Sequence, residues 1–331
     1  MSKKYDLIAA ILIVALAVAL SATLIFGGAN SKNEPSALSS SLTKDADKPY
    51  CVLVAGSDRV SGLYDVMMLV SIDGNRERIC VMQLPRDTYA EYTEKSYKKL
   101  NGAAYTLGGI EGLRSFLEQS FGVCIDGYLT LGLEDFRKVI DTLGGVEIEL
   151  ERAIKYTDAE QGLFIDIPSG RQVLDGEHAE MLVRYRAGYA DGDLGRLDAQ
   201  KKFLAALFET LKEKVNVDNA FELAKTLIGE VDTDIGAVTA VTLGLRALKL
   251  GKENIVFLTL PGADARAEKS GASYYVASAY ATDKILCEFF GKSPQIEFDG
   301  DRVFCHPNYK SFISIYESSE EPRIVRADEL E

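Results

Sequence analysis

The chain has 331 residues, 47% hydrophobic and 26% charged, enough apolar material for one large domain or a main domain with an appendage. That balance excludes wholesale disorder. With 37 basic and 50 acidic residues the formal charge is −13, which argues against a general nucleic-acid or anionic-membrane binder, and two histidines, His178 and His306, argue against a multi-histidine metal site.

The first element in chain order decides the compartment. Lys3 and Lys4 precede an uncharged apolar run from Leu7 to Phe26, about 20 residues, the length of a helix that crosses a hydrocarbon core. A cleaved signal peptide is the alternative. The run is longer than a usual signal core, however, and lacks a small-x-small cleavage site followed at once by the mature domain. The expectation is a short cytoplasmic tail at 1–6, a single transmembrane helix at 7–26 and, by the positive-inside bias, everything beyond Asn30 outside the cell. Residues 27–48, rich in Gly, Ser, Asn and charge, read as a flexible linker. Of the five cysteines, Cys51, Cys80 and Cys124 lie in or beside apolar runs where a thiol behaves as a small hydrophobe. Cys287 and Cys305 complete the set, and no CxxC pair occurs.

Strands and helices then alternate. Continuous apolar runs at 51–55, 66–72 and 79–84 predict buried strands, the last two joined by a hairpin signal at Asp73-Gly74. Ile110, Leu113, Leu117 and Phe121 predict an amphipathic helix, 125–131 a strand, and Leu133, Phe136, Val139, Ile140 and Leu143 a second helix stopped by Gly144-Gly145. A strand at 146–150 and a polar hairpin around Gln161-Gly162 follow. The stretch PSGRQVLDGEHAEMLVRYR reads as a turn and then a short helix. Longer helices are expected at 197–215, around 223–228 and 238–248, then a strand at 255–260, a helix at 282–290 and a frayed acidic tail after Ser318. The fold class is α/β or α+β: a three-layer domain with a mixed central sheet flanked by helices.

Four polar clusters stand where strands end, the usual place for a site in such a sheet. In AGSDRVSGLYDV, Asp58 and Asp65 face each other across a loop and suit Mg²⁺, which takes one or two carboxylates plus water and phosphate oxygens; a solvated loop is the alternative. In QLPRDTY, Arg86 and Asp87 follow a buried run and a proline, where a surface salt bridge is the plain reading. In KKLNGAAY, Lys99 and Asn101 precede a helix, and Asn101 is either an N-cap or a site residue. In RYRAGYADGDLGRLDAQ, Arg184, Arg186 and Arg196 form either a phosphate clamp or a solvated set, with Gln200 one turn beyond Arg196. Arg86 and Arg196 stand at loop ends with little apolar area, so truncating either is expected to cost within about 1 kcal/mol of stability.

The ordered string GSDR, YDVMMLVSID, QLPRDTY, KLNGAAY, DGYLTLGLEDFRKVIDTLGGVEIEL, PSGRQVLDGEHAEMLVRYR and DGDLGRLDAQKKFL resembles the LytR-CpsA-Psr family, continuously from Cys51 to Leu207. The resemblance implies a transferase of the Gram-positive envelope. Such a protein takes a glycopolymer (teichoic acid, capsule or another wall polysaccharide) from undecaprenyl diphosphate and joins it through a phosphodiester to the muramic acid 6-hydroxyl of peptidoglycan. Some relatives transfer to a surface protein instead. Position by position, the resemblance implies that Asp58 and Asp65 coordinate Mg²⁺, with Mn²⁺ as a substitute, and that Arg59, Arg86, Arg184, Arg186, Arg196 and Gln200 bind the diphosphate. Asp87, Lys99 and Asn101 match further positions near the head group. Asp87 is the candidate base for the acceptor hydroxyl, with Asp193 behind it.

The organisation expected is a catalytic domain at 49–215, a C-terminal extension at 216–318 that includes LTLPGADA and SGASYYVAS, and an acidic tail at 319–331. Helical faces at 133–143 and 203–211 would line a polyprenyl slot, or equally an ordinary core. The expected partners are the lipid-linked donor, peptidoglycan and the cytoplasmic membrane, with no nucleic acid. A pyrophosphatase acting on the same lipid and a non-catalytic glycan-binding protein are the alternatives.

Overall fold

In the computed structural model, residues 48–57, 63–93, 98–158, 163–185, 193–214, 231–236, 250–267, 270–293 and 324–326 are described, with isolated positions at 239, 243 and 247. The expected transmembrane helix and linker, the loop of Asp58 and Arg59, Arg186, His306, Cys305 and the helix expected around 223–228 lie outside the described residues, as does most of 238–248. Among the described residues no helix is long and apolar enough to cross a membrane.

The chain divides into two compact units, one comprising Asp47–Tyr128 with Val256–Val325, the other Leu129–Ile255. The first is built on strands β1 (Tyr50–Ser57), β2 (Tyr64–Asp73) and β3 (Arg78–Gln83), each antiparallel to the next. Cys51 pairs with Ser71 and Ser71 with Cys80, which puts the odd positions of β1 and β2 on one face. Asp73 makes the β2–β3 turn, its Oδ1 accepting the backbone N–H groups of Asn75 (3.1 Å) and Arg76 (3.0 Å). Beyond β3, a 3₁₀ turn at Leu100–Gly102 leads into α1 (Ala103–Leu107) and α2 (Ile110–Phe121).

The C-terminal segment returns to the same unit. It supplies β10 (Ile255–Thr259), a hairpin of β11 (Gly262–Arg266) and β12 (Ser273–Ala277), helix α6 (Ala279–Phe289) and β13 (Ile324–Arg326), which pairs with β10 inside the tail expected to be frayed. The strand order is β13-β10-β3-β2-β1, so residues far beyond 215 lie directly beside β3. Leu53, Met67, Leu69, Cys80, Met82 and Leu258 on one face of the sheet meet Leu113, Leu117 and Phe121 of α2 and Ile285, Leu286 and Phe289 of α6 in one apolar cluster. The opposite face, with Val52, Val54, Met68, Val70, Val81 and Phe257, is buried too, which explains continuous apolar runs in place of alternation. Burial pushes the Cys51 and Cys80 thiols far above their ordinary range, so both stay protonated, as their apolar setting in the sequence suggested. Cys124, expected to be buried with them, is instead exposed just beyond the end of α2.

The second unit holds β4 (Gly127–Gly132, from Leu129 on), α3 (Leu133–Thr142), β5 (Val146–Leu150) and the hairpin β6 (Ile154–Asp158) and β7 (Leu163–Ile167). Strand β8 (Gly170–Leu174), α4 (Gly176–Arg184), α5 (Asp193–Lys214) and β9 (Asp232–Thr233) complete it. The stretch expected to be turn and helix is first a strand: GRQVL pairs antiparallel with β5, Val146 against Leu174. Helix α3 ends as expected at Gly144 (φ 72°) and Gly145 (φ 84°). Lys214 then reaches from α5 and donates to the carbonyls of Leu143, Gly144 and Gly145 at 2.9–3.0 Å, satisfying the acceptors a helix end leaves open. The apolar faces of α3 and α5 are buried and touch edge-to-face through Phe136 and Phe203, 6.3 Å apart.

The DGEH turn explains itself in the same terms. Gly176 lets α4 approach α3 closely, because a Cβ there would stand 2.4 Å from the Arg137 carbonyl oxygen. Asp175 caps α4, accepting from the backbone N–H of His178 at 2.9 Å, and that bond holds its carboxyl below the usual range. A depressed folded value stabilises above the unfolded carboxylate pKa and is lost as pH falls through the folded one. Asp175→Ala is therefore expected to cost about 1 kcal/mol at pH 7 in urea unfolding. The gap to wild type should close in strong acid; a gap independent of pH would mean that the charge of the cap contributes nothing.

Candidate active site

The site residues that can be placed in the first unit lie on three segments: the start of β2, the stretch just after β3, and the 3₁₀ turn with the lysine before it. Asp65 is the second residue of β2 and its side chain is only 3% exposed. Pro85 turns the chain out of β3, with Thr88 Oγ donating to its carbonyl at 2.5 Å, and leaves Arg86 and Asp87 at the rim. The Arg86 guanidinium donates to Asp65 Oδ1 at 3.2 Å and its Nε stands 3.8 Å from Asp87 Oδ1. Lys99 Nζ donates to the same Asp87 oxygen at 3.0 Å. The result is a string of alternating charge, Asp65–Arg86–Asp87–Lys99. The surface salt bridge, the alternative reading of QLPRDTY, does not describe Arg86: it pairs inward, with an acid from another strand, and is itself 16% exposed.

Asn101 is not an N-cap. It sits inside the 3₁₀ turn, 4% exposed, and Gly102 takes the cap position of α1. Its backbone N–H donates to the Arg86 carbonyl at 3.1 Å, while Leu100 N–H donates to Thr88 at 2.9 Å. The KLN segment is therefore bonded along PRDT, and this brings Lys99 to Asp87. One sequence motif braces the other.

The remaining candidates belong to the second unit. Arg184 ends α4, Asp193 opens α5, and Arg196 and Gln200 lie four residues apart in its first turns; the side chains of all four are outside the described residues. For a metal, the carboxylate of Asp65 is the hard oxygen donor that Mg²⁺ prefers. Among the described residues no cluster of three or more acids, histidines or cysteines could cage an ion alone. A site of one or two carboxylates completed by water and phosphate oxygens fits this donor set, with Asp58 as the second carboxylate implied by the sequence.

Sequence reasoning missed a pair of aromatic residues beside the string. Tyr89 and Tyr274 are each 8% exposed, their rings edge-to-face at 5.5 Å, and Lys99 Nζ stands 5.5 Å from the centre of the Tyr274 ring. Tyr89 donates to Glu91, and burial together with that acid pushes its phenol far above the ordinary range. SGASYYVAS was visible as a motif, but the strand that carries Tyr274 follows Asp87 by almost two hundred residues and no periodicity links them.

Comparison with known proteins decides the family. The model of the LytR_cpsA_psr family matches residues 22–289. The chain belongs to this family. TagU of Oceanobacillus iheyensis, a polyisoprenyl-teichoic acid–peptidoglycan teichoic acid transferase, is 27% identical over 258 residues, covering 76% of this chain and 78% of that protein. TagV of Bacillus subtilis, a transferase of the same description, is 25% identical over 264 residues, covering 77% and 67%. The regulatory protein MsrR of Staphylococcus aureus is 30% identical over 223 residues, 65% of each chain. The crystal structure of B. subtilis TagV superposes with a TM-score of 0.64 at 25% identity, over 75% of this chain and 99% of that one. A structure of TagT bound to LI-WTA shares the fold, with a TM-score of 0.58 at 22% identity over 73% and 89%. The α+β architecture with a central sheet expected of a LytR_cpsA_psr protein is the one the chain has.

Proposed function

We propose that this protein is a membrane-anchored phosphotransferase that moves an anionic glycopolymer from an undecaprenyl-diphosphate carrier to the 6-hydroxyl of muramic acid in peptidoglycan. The observation that carries the reading is the string Asp65–Arg86–Asp87–Lys99 in a chain whose relatives TagU and TagV are described as teichoic acid transferases. A diphosphate concentrates negative charge, and transfer develops more of it on the departing phosphate, so fixed cations aimed at it lower the barrier. Arg86 is oriented for that task by Asp65, and Lys99 by Asp87. Arg59, Arg184, Arg186, Arg196 and Gln200 complete the clamp in this proposal.

The two acids differ in exposure, and that assigns their roles. Asp87 is 36% exposed and can meet an acceptor hydroxyl, whereas Asp65, at 3%, cannot. Asp87 takes the hydroxyl proton as the acceptor oxygen bonds to phosphorus and the bridging P–O bond to undecaprenyl phosphate breaks. Asp58 and Asp65 would hold Mg²⁺, which when bound supplies positive charge to the diphosphate oxygens. The apolar run at 7–26 anchors the chain in the cell membrane with the catalytic part outside, near the lipid donor.

Full-length protein in proteoliposomes, given lipid-linked glycopolymer, peptidoglycan and Mg²⁺, is expected to yield phosphodiester-linked muropeptides by mass spectrometry, with one undecaprenyl phosphate released per linkage. Release of undecaprenyl phosphate without linked polymer would replace the transferase by a pyrophosphatase. No release and no linkage would leave a binding protein.

A further inference from the structure

The loop that carries Arg86 and Asp87 is held from outside by the β11–β12 hairpin and the strand before it. Leu260 N–H donates to the Gln83 carbonyl at 2.8 Å, Tyr275 N–H to the Asp87 carbonyl at 2.9 Å, and Tyr89 N–H to the Tyr275 carbonyl at 2.8 Å. The Tyr275 phenol donates to Leu260 at 2.6 Å, tying the hairpin back to β10. Strand alternation then sends Tyr274 to the other side of β12, into a small cluster with Tyr89, Ala265 and Val276. Its ring stands under the ammonium of Lys99, 5.5 Å away and so within cation–π range of about 6 Å. The same ammonium is 3.0 Å from Asp87 Oδ1.

A lysine head on a flexible four-carbon stem carries about 2 kcal/mol of rotamer entropy, so a carboxylate alone holds it loosely. A second contact from a ring face restricts it to one place. Burial raises the Tyr274 phenol above its ordinary range, which keeps the ring neutral and suited to a cation. A merely apolar role in the cluster would be filled as well by an aliphatic residue. The geometry points to more.

We propose that Tyr274 is a positioning residue, its ring face holding the Lys99 ammonium against Asp87. The proposal deepens the transferase reading and rests on it for its consequence in turnover, while the contact itself is tested without turnover. Tyr274→Phe keeps the ring face, and Tyr274→Leu keeps apolar volume without it.

The first arm uses full-length protein in detergent with lysines carrying ¹³C-methyl groups, which preserves their charge. The Lys99 signal is identified by its loss in Lys99→Arg. It is expected to be shifted upfield by the ring in wild type and Tyr274→Phe, and to join the exposed lysines in Tyr274→Leu. A Lys99 signal already among the exposed lysines in wild type, or one that Tyr274→Leu does not move, overturns the proposal.

The second arm measures transfer. Tyr274→Leu should lower kcat roughly tenfold with KM for the acceptor unchanged, the upper part of what a cation–π contact supplies, and Tyr274→Phe should restore it. In a Lys99→Met background the Leu substitution should add nothing; an additive loss would show that Tyr274 does not act through Lys99, overturning the proposal. Absence of transfer by the wild type would sink the enzyme reading, and the first arm would still decide the contact.

Discussion

Arg86→Ala is expected to lower transfer by about 10²–10³-fold, the loss typical of removing one preorganised group that stabilises developing charge. It should also destabilise the fold by about 3 kcal/mol, the low end for breaking a buried pair from one side. The second figure corrects the expectation drawn from the loop position alone. Arg86 is not a loose end: it is 16% exposed and its guanidinium meets a carboxylate that is 3% exposed, so truncation takes a cation from an acid that water barely reaches. Arg86→Lys separates the two effects. It keeps the charge and should recover much of the stability, yet it loses the planar fork that matches phosphate oxygens in pairs, so its rate should stay low. Initial rates at saturating donor, with urea unfolding of the same samples, make the comparison. Full activity in either variant would remove Arg86 from the clamp.

The difference between those two stability figures marks what a linear reading can and cannot deliver. Strands and helices whose stability rests on a local pattern were legible: the apolar runs of β1 to β3, the three- and four-residue spacing of α2, and the Gly144-Gly145 stop of α3 all have their cause within a few residues. Strand β8 was not, because GRQVL alternates only weakly and becomes a strand through pairing with β5, about two dozen residues earlier. Nor was the place of β10 beside β3, since strand order is a long-range property that no window contains. The site divides in the same way. The residue types of the motifs left a phosphate clamp and a solvated set as equal readings, and the family resemblance, not the spacing, favoured the first. Which partner each charge takes was hidden, so a cap stayed open as an alternative for Asn101 and a surface pair for Arg86, while Tyr274 read as part of an undefined extension.

Metal dependence is the other large effect, and Asp65 is where it can be measured most cleanly. EDTA is expected to stop turnover, and Mg²⁺ or Mn²⁺ to restore it, if Asp58 and Asp65 hold the ion as proposed, with water and phosphate oxygens completing its shell. Asp65→Asn is the sharper test. The amide keeps the shape of the carboxylate and an oxygen that can still accept from Arg86, now 3.2 Å from Oδ1, so the stability loss should be smaller than that of Arg86→Ala and the protein should still fold. What it loses is the negative charge. The Mg²⁺ concentration for half-maximal rate should therefore rise about tenfold or more, equivalent to about 1.4 kcal/mol of binding, while saturating Mg²⁺ recovers much of the rate. If the half-maximal concentration stays put while the rate falls at every Mg²⁺ level, Asp65 serves only to orient Arg86. Undiminished wild-type activity in chelator, with bound metal shown to be gone, would go further and remove the metal from the proposal, leaving the diphosphate charge to side-chain cations.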